Sequence, residues 1–199
     1  MIEPDAEARL VAALRSNDLA ARKAALGELY EHLSATLSAL CLRMAGDRGD
    51  AEDAVQETFL AVLRGVGGFR GESRLSTWVI RIAIHSATRV RSRRSKRVLA
   101  PLPDDGAASP SLGEQARGAD PESEAIERED SQRVLAAIAR LPAAQRAVLG
   151  LAATAGLDRA EIASVLGLPI GTVDSRLSVA RASLREELAR RSGSDARRA

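Results

Sequence analysis

The chain has 199 residues, which is enough for one or two small domains. Aromatic residues make up only 2% of it, which argues against a β-sandwich or β-barrel, because those folds depend heavily on aromatic and β-branched side chains. Cys41 is the single cysteine, which excludes an intrachain disulfide framework and a zinc site of several cysteines. Alanine, leucine and arginine dominate and favour helices, so we expect an all-α protein.

The small formal net charge of +2 conceals three segments of alternating charge. Five positive charges are concentrated in the sequence RSRRSKR at 91–97. Residues 104–130 carry nine acids against two arginines, whereas residues 131–199 carry eleven arginines against six acids. Two basic bodies joined by an acidic segment favour a protein that binds nucleic acid.

Several classes of protein lack support in this sequence. No apolar run reaches the ~18 residues that a membrane span needs, and the N-terminal sequence MIEPDAEARL has no signal-peptide core. Cys41 lies in an apolar stretch, so we interpret it as a buried hydrophobe rather than a redox sensor. There is no HExxH, P-loop or GxSxG pattern. We therefore expect a reduced cytosolic protein without catalytic activity.

The first half of the chain is predicted to be a helical domain over 1–97. Helical periodicity extends from 5 to 45 with a break at 15–18. Asp50 suits the N-cap of the next helix, which is predicted to end near Arg64. After a glycine-rich loop, a further helix starts near Ser76 and continues into the basic run.

The second half is predicted to be a smaller helical domain over 124–190. Prolines, glycines and acids are concentrated at 98–123, which predicts a flexible acidic linker between the two domains. Pro142 suits the first turn of a helix within the second domain. The segment 191–199 is predicted to be a disordered tail.

A helix-turn-helix is the strongest local signal, and it runs from Arg159 to about Ala182. Ala163, at its fifth position, lets two helices cross closely, and Gly167, at its ninth, permits the turn between them. The second helix has small side chains flanked by arginines on its outer face, which favours DNA binding over a plain helical hairpin. The outward side chains are Ser175, Arg176, Ser178, Val179, Arg181 and Ala182.

A second signal is a polar stripe on the helix that precedes the basic run. A loop carrying Phe69 and Arg70 comes before this helix, and Trp78 lies near its start. A positive track beside a loop that can hold an unstacked base suits single-stranded DNA. The alternatives are a solvated helix face and, for Trp78, core packing. The stripe consists of Thr77, Arg81, His85, Thr88 and Ser92.

A third signal is a second stripe on the helix at 50–64. Acids in a first turn are explained by the helix dipole alone, but Glu57 and Leu60 lie beyond that turn. We interpret the stripe as a protein-docking face, with a solvated face as the alternative. The stripe consists of Asp53, Gln56, Glu57 and Leu60.

Three segments in this order resemble the extracytoplasmic-function sigma factors of bacterial RNA polymerase. The sequence DAEDAVQETFLAVLR at 50–64 is similar to the region-two helix that grips the clamp helices of the polymerase. The segment at 69–94 is similar to the part that opens and reads the minus-ten element. The segment at 141–188 is similar to region four, which reads the minus-thirty-five element.

The resemblance implies an alternative sigma factor that binds core RNA polymerase, at its clamp helices and flap, and directs it to promoter DNA. It implies no catalysis, cofactor or metal, no membrane insertion, and a cytoplasmic, nucleoid-associated protein with an anti-sigma factor as a further partner. One rival reading is a helix-turn-helix regulator that acts without core polymerase. Another is a sigma-like decoy that no longer reads DNA.

The resemblance also assigns residues to each partner. Polymerase binding is assigned to Asp53, Gln56, Glu57 and Leu60. Minus-ten DNA is assigned to Phe69, Arg70, Thr77, Trp78, Arg81, His85, Thr88, Arg89 and Ser92. Minus-thirty-five DNA is assigned to Thr172, Asp174, Ser175, Arg176, Ser178, Val179 and Arg181. Asp174 stands where the family often has a basic residue, and its carboxylate either reads a cytosine or interacts only with the helix dipole.

Overall fold

The computed structural model describes residues 2–98, 121–154 and 157–195. These ranges contain helices and no strand, so the prediction of an all-α protein is confirmed. The helices are α1 (Pro4–Arg15), α2 (Leu19–Ala45), α3 (Arg48–Gly65), α4 (Leu75–Val98), α5 (Pro121–Arg140), α6 (Ala143–Thr154), α7 (Arg159–Leu166) and α8 (Ile170–Asp195). A short 3-10 turn at Val66–Gly68 follows α3.

The first four helices form an N-terminal bundle in which α2, α3 and α4 pack against one another and α1 covers α2. Its core is built from aliphatic side chains at helical spacing, as the helical periodicity of the sequence predicts. Leu37 of α2, Val62 of α3 and Val79 of α4 are all 0% exposed. Each such burial contributes roughly 1.5–3 kcal/mol, so the bundle is held together mainly by apolar contact.

The helix α3 begins before the residue that the sequence suggests. Asp47, not Asp50, is its N-cap, and the Asp47 carboxylate accepts a hydrogen bond of 3.1 Å from the main-chain N–H of Asp50. The prediction of Asp50 as the cap is therefore wrong, because both aspartates suit a cap and only the backbone geometry decides between them. The Asp50 amide, together with the Arg94 guanidinium of α4, lowers the pKa of Asp47.

The last four helices form a C-terminal bundle that contains the predicted helix-turn-helix. Asp158 and Glu161 form a reciprocal capping box at the start of α7, and Gly167 ends it in the left-handed conformation with φ of 64°. Ala163 is buried where α7 crosses α8, and Val173 lies in the core. The helix-turn-helix prediction is confirmed in its turn and its crossing.

Two boundaries differ from the sequence prediction. The helix α5 begins at Pro121, inside the segment predicted as linker, and proline is favoured in a first helical turn. The helix α8 continues to Asp195, because no proline follows Arg190 to stop it. Most of the predicted acidic linker, residues 99–120, and the last residues of the predicted tail lie outside the described residues.

The two bundles pack against each other, and we call this packing the closed arrangement. In it, α2 contacts α5 and α6, and α4 contacts α7. Gly150 of α6 permits the close approach, because a Cβ atom on this residue would lie 2.9 Å from a terminal methyl carbon of Leu40 in α2. Leu40 is 0% exposed, so the contact between the bundles continues the apolar core.

Candidate functional site

An apolar groove of about 630 Å³ lies between α2 and α3. The rings of Tyr30 and Phe59 contact each other along it, with centroids 5.1 Å apart. Tyr30 is 52% exposed and Leu60 is 47% exposed, although both are large apolar side chains. Lys23, Glu31 and Glu52 add charges to the lining. An exposed apolar surface with charges beside it is typical of an interaction site for a protein, a membrane or a ligand.

The structure divides the four residues that the sequence predicts for protein docking. Gln56 and Leu60 line the groove, whereas Asp53 is exposed outside its lining and Glu57 is only partly exposed. Sequence reasoning missed the aromatic pair in the groove. The sequence does contain a signal for Tyr30, because this residue directly follows Leu29, which is buried. A large aromatic side chain in that position lies at the edge of the apolar face of α2.

Glu57 has ionic partners within the chain. Its carboxylate accepts a hydrogen bond of 2.5 Å from Arg93 and lies 3.9 Å from the Arg89 guanidinium, both in α4. The charge of Glu57, which the helix dipole does not explain, therefore has an explanation within the chain, and its assignment to polymerase binding stays a prediction. Because Glu57 and Arg93 are 36 residues apart in sequence, only the packing of α3 against α4 reveals that this carboxylate pairs with the basic end of α4.

The predicted polar stripe of α4 is exposed along most of its length. His85, Thr88, Arg89 and Ser92 are exposed, but Thr77 is only 7% exposed, so its placement on the accessible stripe is wrong. The reason is that Thr77 lies at the edge of the stripe. The residues three and seven positions later share its side of the helix, and both are core residues. Those positions are Ile80 and Ile84, and both are buried.

Two aromatic rings lie at the start of this stripe. Phe69, in the loop before α4, packs on Trp78 with ring centroids 5.2 Å apart. Both side chains are partly exposed, so they combine core packing with an accessible ring surface. Arg70 beside them is exposed, with its guanidinium 3.9 Å from Glu72. A cation beside accessible rings can hold an unstacked base.

Arg81, in the middle of the stripe, is bound to the other bundle. Its Nε donates a hydrogen bond of 3.0 Å to the carbonyl of Val165, and its Nη2 donates one of 2.5 Å to the carbonyl of Ser164. These carbonyls belong to the last turn of α7, where main-chain acceptors lack helical partners and favour a cation. The helix-turn-helix therefore covers part of the polar stripe in the closed arrangement.

Two more arginines meet at the C-terminal end of α5, one from each bundle. Arg91 of α4 donates hydrogen bonds to the carbonyls of Ala45 and Ala139, at 2.5 and 2.6 Å. Arg146 of α6 donates to the carbonyls of Ala139 and Leu141, at 3.1 and 2.5 Å. Burial, and then the nearby charge of Arg91, lower the pKa of Arg146 to about 10. The helix end thus ties α4, α5 and α6 together.

The outer face of α8 is open to solvent. Ser175, Ser178, Val179 and Arg181 are exposed, and Thr172 and Arg176 are partly exposed. Asp174 is exposed as well, and it forms an ion pair with Arg159 at the start of α7. A groove of about 450 Å³ lies around this pair. Its polar lining consists of Arg159, Asp174, Ser178, Arg181 and Arg185.

Other kinds of chemistry have little support in the described part of the chain. Those residues contain no cluster of histidine, cysteine, aspartate and glutamate that could hold a metal ion. None of the helices in the described ranges is long and apolar enough to cross a membrane. Burial raises the pKa of the Cys41 thiol to about 12, so the reactive thiolate is suppressed at neutral pH.

Two family models match separate parts of the chain. The model of sigma-70 region 2 matches residues 29–97, which contain α3 and the exposed stripe of α4. The model of sigma-70 region 4 matches residues 131–184, which contain the helix-turn-helix. The matched ranges contain most of the groove lining and the two polar faces, while Lys23, Leu26 and Gly27 of the groove precede the first matched range.

Named relatives extend the match across both bundles. The chain is 32% identical over 147 residues to the ECF RNA polymerase sigma-E factor of Haemophilus influenzae, covering 71% of this chain and 76% of that protein. It is 32% identical over 166 residues to the RNA polymerase sigma-H factor of Pseudomonas aeruginosa, covering 80% of this chain and 82% of that protein.

Two solved structures share the fold. CnrH, in complex with the cytosolic domain of CnrY, superposes with a TM-score of 0.64 at 24% identity, covering 93% of this chain and 98% of that one. The sigma factor RpoE of Bartonella quintana, in complex with the anti-sigma factor NepR, superposes with a TM-score of 0.55 at 26% identity. That match covers 81% of this chain and 97% of the other.

Proposed function

The chain belongs to the extracytoplasmic-function sigma factors of the sigma-70 family, and on that premise we propose a role for each of its surfaces. It is an alternative sigma factor that binds core RNA polymerase and directs it to specific promoters. It contributes binding and DNA opening and no catalysis of its own. Its place of action is the cytoplasm, on the nucleoid.

The groove between α2 and α3 docks the clamp helices of the polymerase, and this groove is the observation that carries the proposal. A helix with an apolar face fits an elongated apolar groove, with anchors spaced by helical turns. Tyr30 and Leu60 supply exposed apolar surface for such anchors, and Lys23 and Glu52 supply charges that set the orientation. Gln56 adds a polar contact in the groove.

The exposed stripe of α4 binds the minus-ten element and helps to open it. Arg89 is exposed, although its guanidinium lies 3.9 Å from Glu57, and a cation at this end of the stripe attracts the phosphate backbone, whose charge supplies most of the affinity for single-stranded DNA. Phe69 and Trp78 offer ring surface on which an extruded base stacks. His85 and Ser92 add exposed hydrogen-bonding groups along the same face.

The outer face of α8 reads the minus-thirty-five element. Small side chains there let the helix backbone approach the floor of a major groove, while the arginines reach phosphates or guanine edges. Region four also contacts the polymerase flap. An anti-sigma factor is a further partner, since the similar RpoE of Bartonella quintana was solved with one.

A regulator that acts without polymerase is a less favoured function. The groove alone does not exclude such a protein, since a regulator that dimerises also has an apolar interface, but the matches to polymerase sigma factors across both bundles favour a polymerase subunit. Run-off transcription with purified core polymerase and a library of promoter fragments distinguishes the two. We expect specific transcripts only when the chain is present; binding to double-stranded operators without any transcript would support the regulator.

One pair of variants tests the groove directly. Leu60→Glu places a charge in the apolar lining and should weaken polymerase binding at least about tenfold, because a buried charge without a partner is costly. Leu19→Glu is the matched control, since Leu19 is 78% exposed and lies outside the groove lining. Equal polymerase affinity for the two variants, with normal helix content, would contradict the groove assignment.

A further inference from the structure

We propose that Asp174 and Arg159 act as one reading unit, in which the carboxylate positions the guanidinium against a guanine of the minus-thirty-five element. In this unit Arg159 contacts DNA and Asp174 is a positioning residue. The inference rests on the proposed function, because it requires the outer face of α8 to enter the major groove. It assigns a DNA contact to Arg159, which sequence reasoning used only to mark the start of the helix-turn-helix.

The geometry brings together the two helices of the motif. Arg159 is the first residue of α7, and its Nε forms an ion pair with Oδ1 of Asp174 in α8. Both side chains remain accessible, at 62% and 48% exposure. A guanidinium has five N–H donors, and contact through Nε leaves the two Nη groups for other acceptors. Among the described residues, no further ion pair or hydrogen bond engages the Arg159 side chain.

The helix dipole does not explain Asp174. The helix α8 begins at Ile170, and its first turn contains no acid. Asp174 is the fifth residue of the helix, whereas the dipole effect falls off within the first turn. The carboxylate is instead explained by the cation beside it, which the order of residues in the sequence does not reveal.

The surroundings of the pair are those of a DNA-facing surface. Asp174, Ser178, Arg181 and Arg185 recur at helical spacing along one side of α8, and with Arg159 they line one open groove. Three arginines surround one aspartate there, so the groove as a whole attracts phosphates. An unpaired carboxylate in this position would be repelled by DNA, but a carboxylate paired with Arg159 is neutralised.

Positioning changes what an arginine recognises. A mobile guanidinium can bind any phosphate of the DNA backbone. Such a contact adds affinity but carries no sequence information. A guanidinium paired at Nε keeps its two Nη groups free for other acceptors, and paired donors of this kind match the O6 and N7 acceptors of guanine. Asp174 therefore contributes to sequence preference and reduces the contribution of Arg159 to general DNA affinity.

The test is selection and competition binding of minus-thirty-five sequences by the full chain in complex with core polymerase. Asp174→Asn and Arg159→Ala should weaken the preference at the same single base position, each by about tenfold. The double variant should lose no more preference than either single variant, because the two residues act as a unit. Asp174→Asn should also bind non-specific DNA more tightly, with a steeper salt dependence, since Arg159 is then free to contact phosphate.

The control is Glu186→Gln, which removes one negative charge from α8 at an exposed residue outside the pair. It should leave the base preference unchanged. An unchanged preference in Asp174→Asn, with a changed one in Arg159→Ala, would show that Arg159 reads DNA without positioning and would overturn the proposal. Unchanged preference in both variants would overturn it too.

Failure of the inference is distinguishable from failure of the proposed function. Arg181→Ala, outside the pair, should weaken binding to all sequences and lower the salt dependence by about one phosphate contact. In one outcome, the wild-type holoenzyme has a minus-thirty-five preference that Arg181→Ala keeps while binding all sequences more weakly. If the base preference of Asp174→Asn and Arg159→Ala is then also unchanged, only the inference is overturned. A wild-type holoenzyme without any minus-thirty-five preference removes the assignment of α8 itself, and the inference with it.

Discussion

The guanidinium of Arg81 in α4 donates a hydrogen bond of 3.0 Å to the main-chain carbonyl of Val165 in α7. Arg81 is one of the residues assigned to the minus-ten element, and Val165 belongs to the helix-turn-helix assigned to the minus-thirty-five element. One guanidinium cannot use the same donors for the α7 carbonyls and for DNA. The closed arrangement must therefore open before α4 engages the minus-ten element through this side chain.

Arg81→Ala should favour opening of the free protein. The variant removes both hydrogen bonds from α4 to the end of α7, and a hydrogen bond to a charged group contributes ~1.5–3 kcal/mol, or less where it is exposed. Small-angle scattering of the full chain should give a larger radius of gyration. His85→Ala, on the same face but exposed, is the control; an unchanged radius for Arg81→Ala would contradict the role of this contact.

Gly150→Leu should separate the bundles by steric means. A Cβ on Gly150 would already lie 2.9 Å from a methyl carbon of Leu40, and a leucine side chain needs far more space. Overpacking of this kind costs typically ~1–3 kcal/mol, which urea denaturation measures. Gly27→Leu is the matched control, because apart from its chain neighbours and its own helix backbone no atom lies within 4 Å of its Cβ position. Equal stability of the two variants would remove the steric argument.

The role of the ion pair between Glu57 and Arg93 can be tested by reversing the charge of each residue. Glu57→Arg places a third cation beside Arg89 and Arg93 and should lower the free energy of unfolding by at most about 1 kcal/mol, because the pair is partly exposed. Adding Arg93→Glu should restore stability. Polymerase affinity then separates two roles: affinity that recovers with stability indicates that Glu57 orders α4, and affinity that stays low indicates direct contact with the polymerase.

Cys41 should make stability fall at alkaline pH. Burial raises its pKa from 9.0 to about 12, so above pH 9 the unfolded chain loses the thiol proton while the folded chain keeps it. Because the unfolded state then binds fewer protons, stability declines as pH rises through this window. Denaturation curves between pH 8 and 10.5 measure the decline, and Cys41→Ala should reduce it. An equal decline in both proteins would contradict the assignment.

The helix-turn-helix could be predicted from the sequence because its requirements are local. Gly167 adopts the left-handed conformation that the turn needs, and Ala163 is small where the helices cross. The outward face of α8 followed from helical spacing alone. The predicted N-cap of α3 lies three residues too late in the sequence. Asp47 and Asp50 are equally suitable as N-cap residues by type, and only the backbone conformation shows that Asp47 takes this position.

The all-helical class and the helix-turn-helix can be inferred from the order of amino acids, because helix periodicity and turn chemistry depend on residues a few positions apart. The partners of the charged groups become visible only once the helices are packed together. Glu57 with Arg93, Asp174 with Arg159, and Arg81 with the carbonyl of Val165 join residues from different helices. Such contacts depend on how helices are rotated and packed, and side-chain burial summed over the whole core sets that packing.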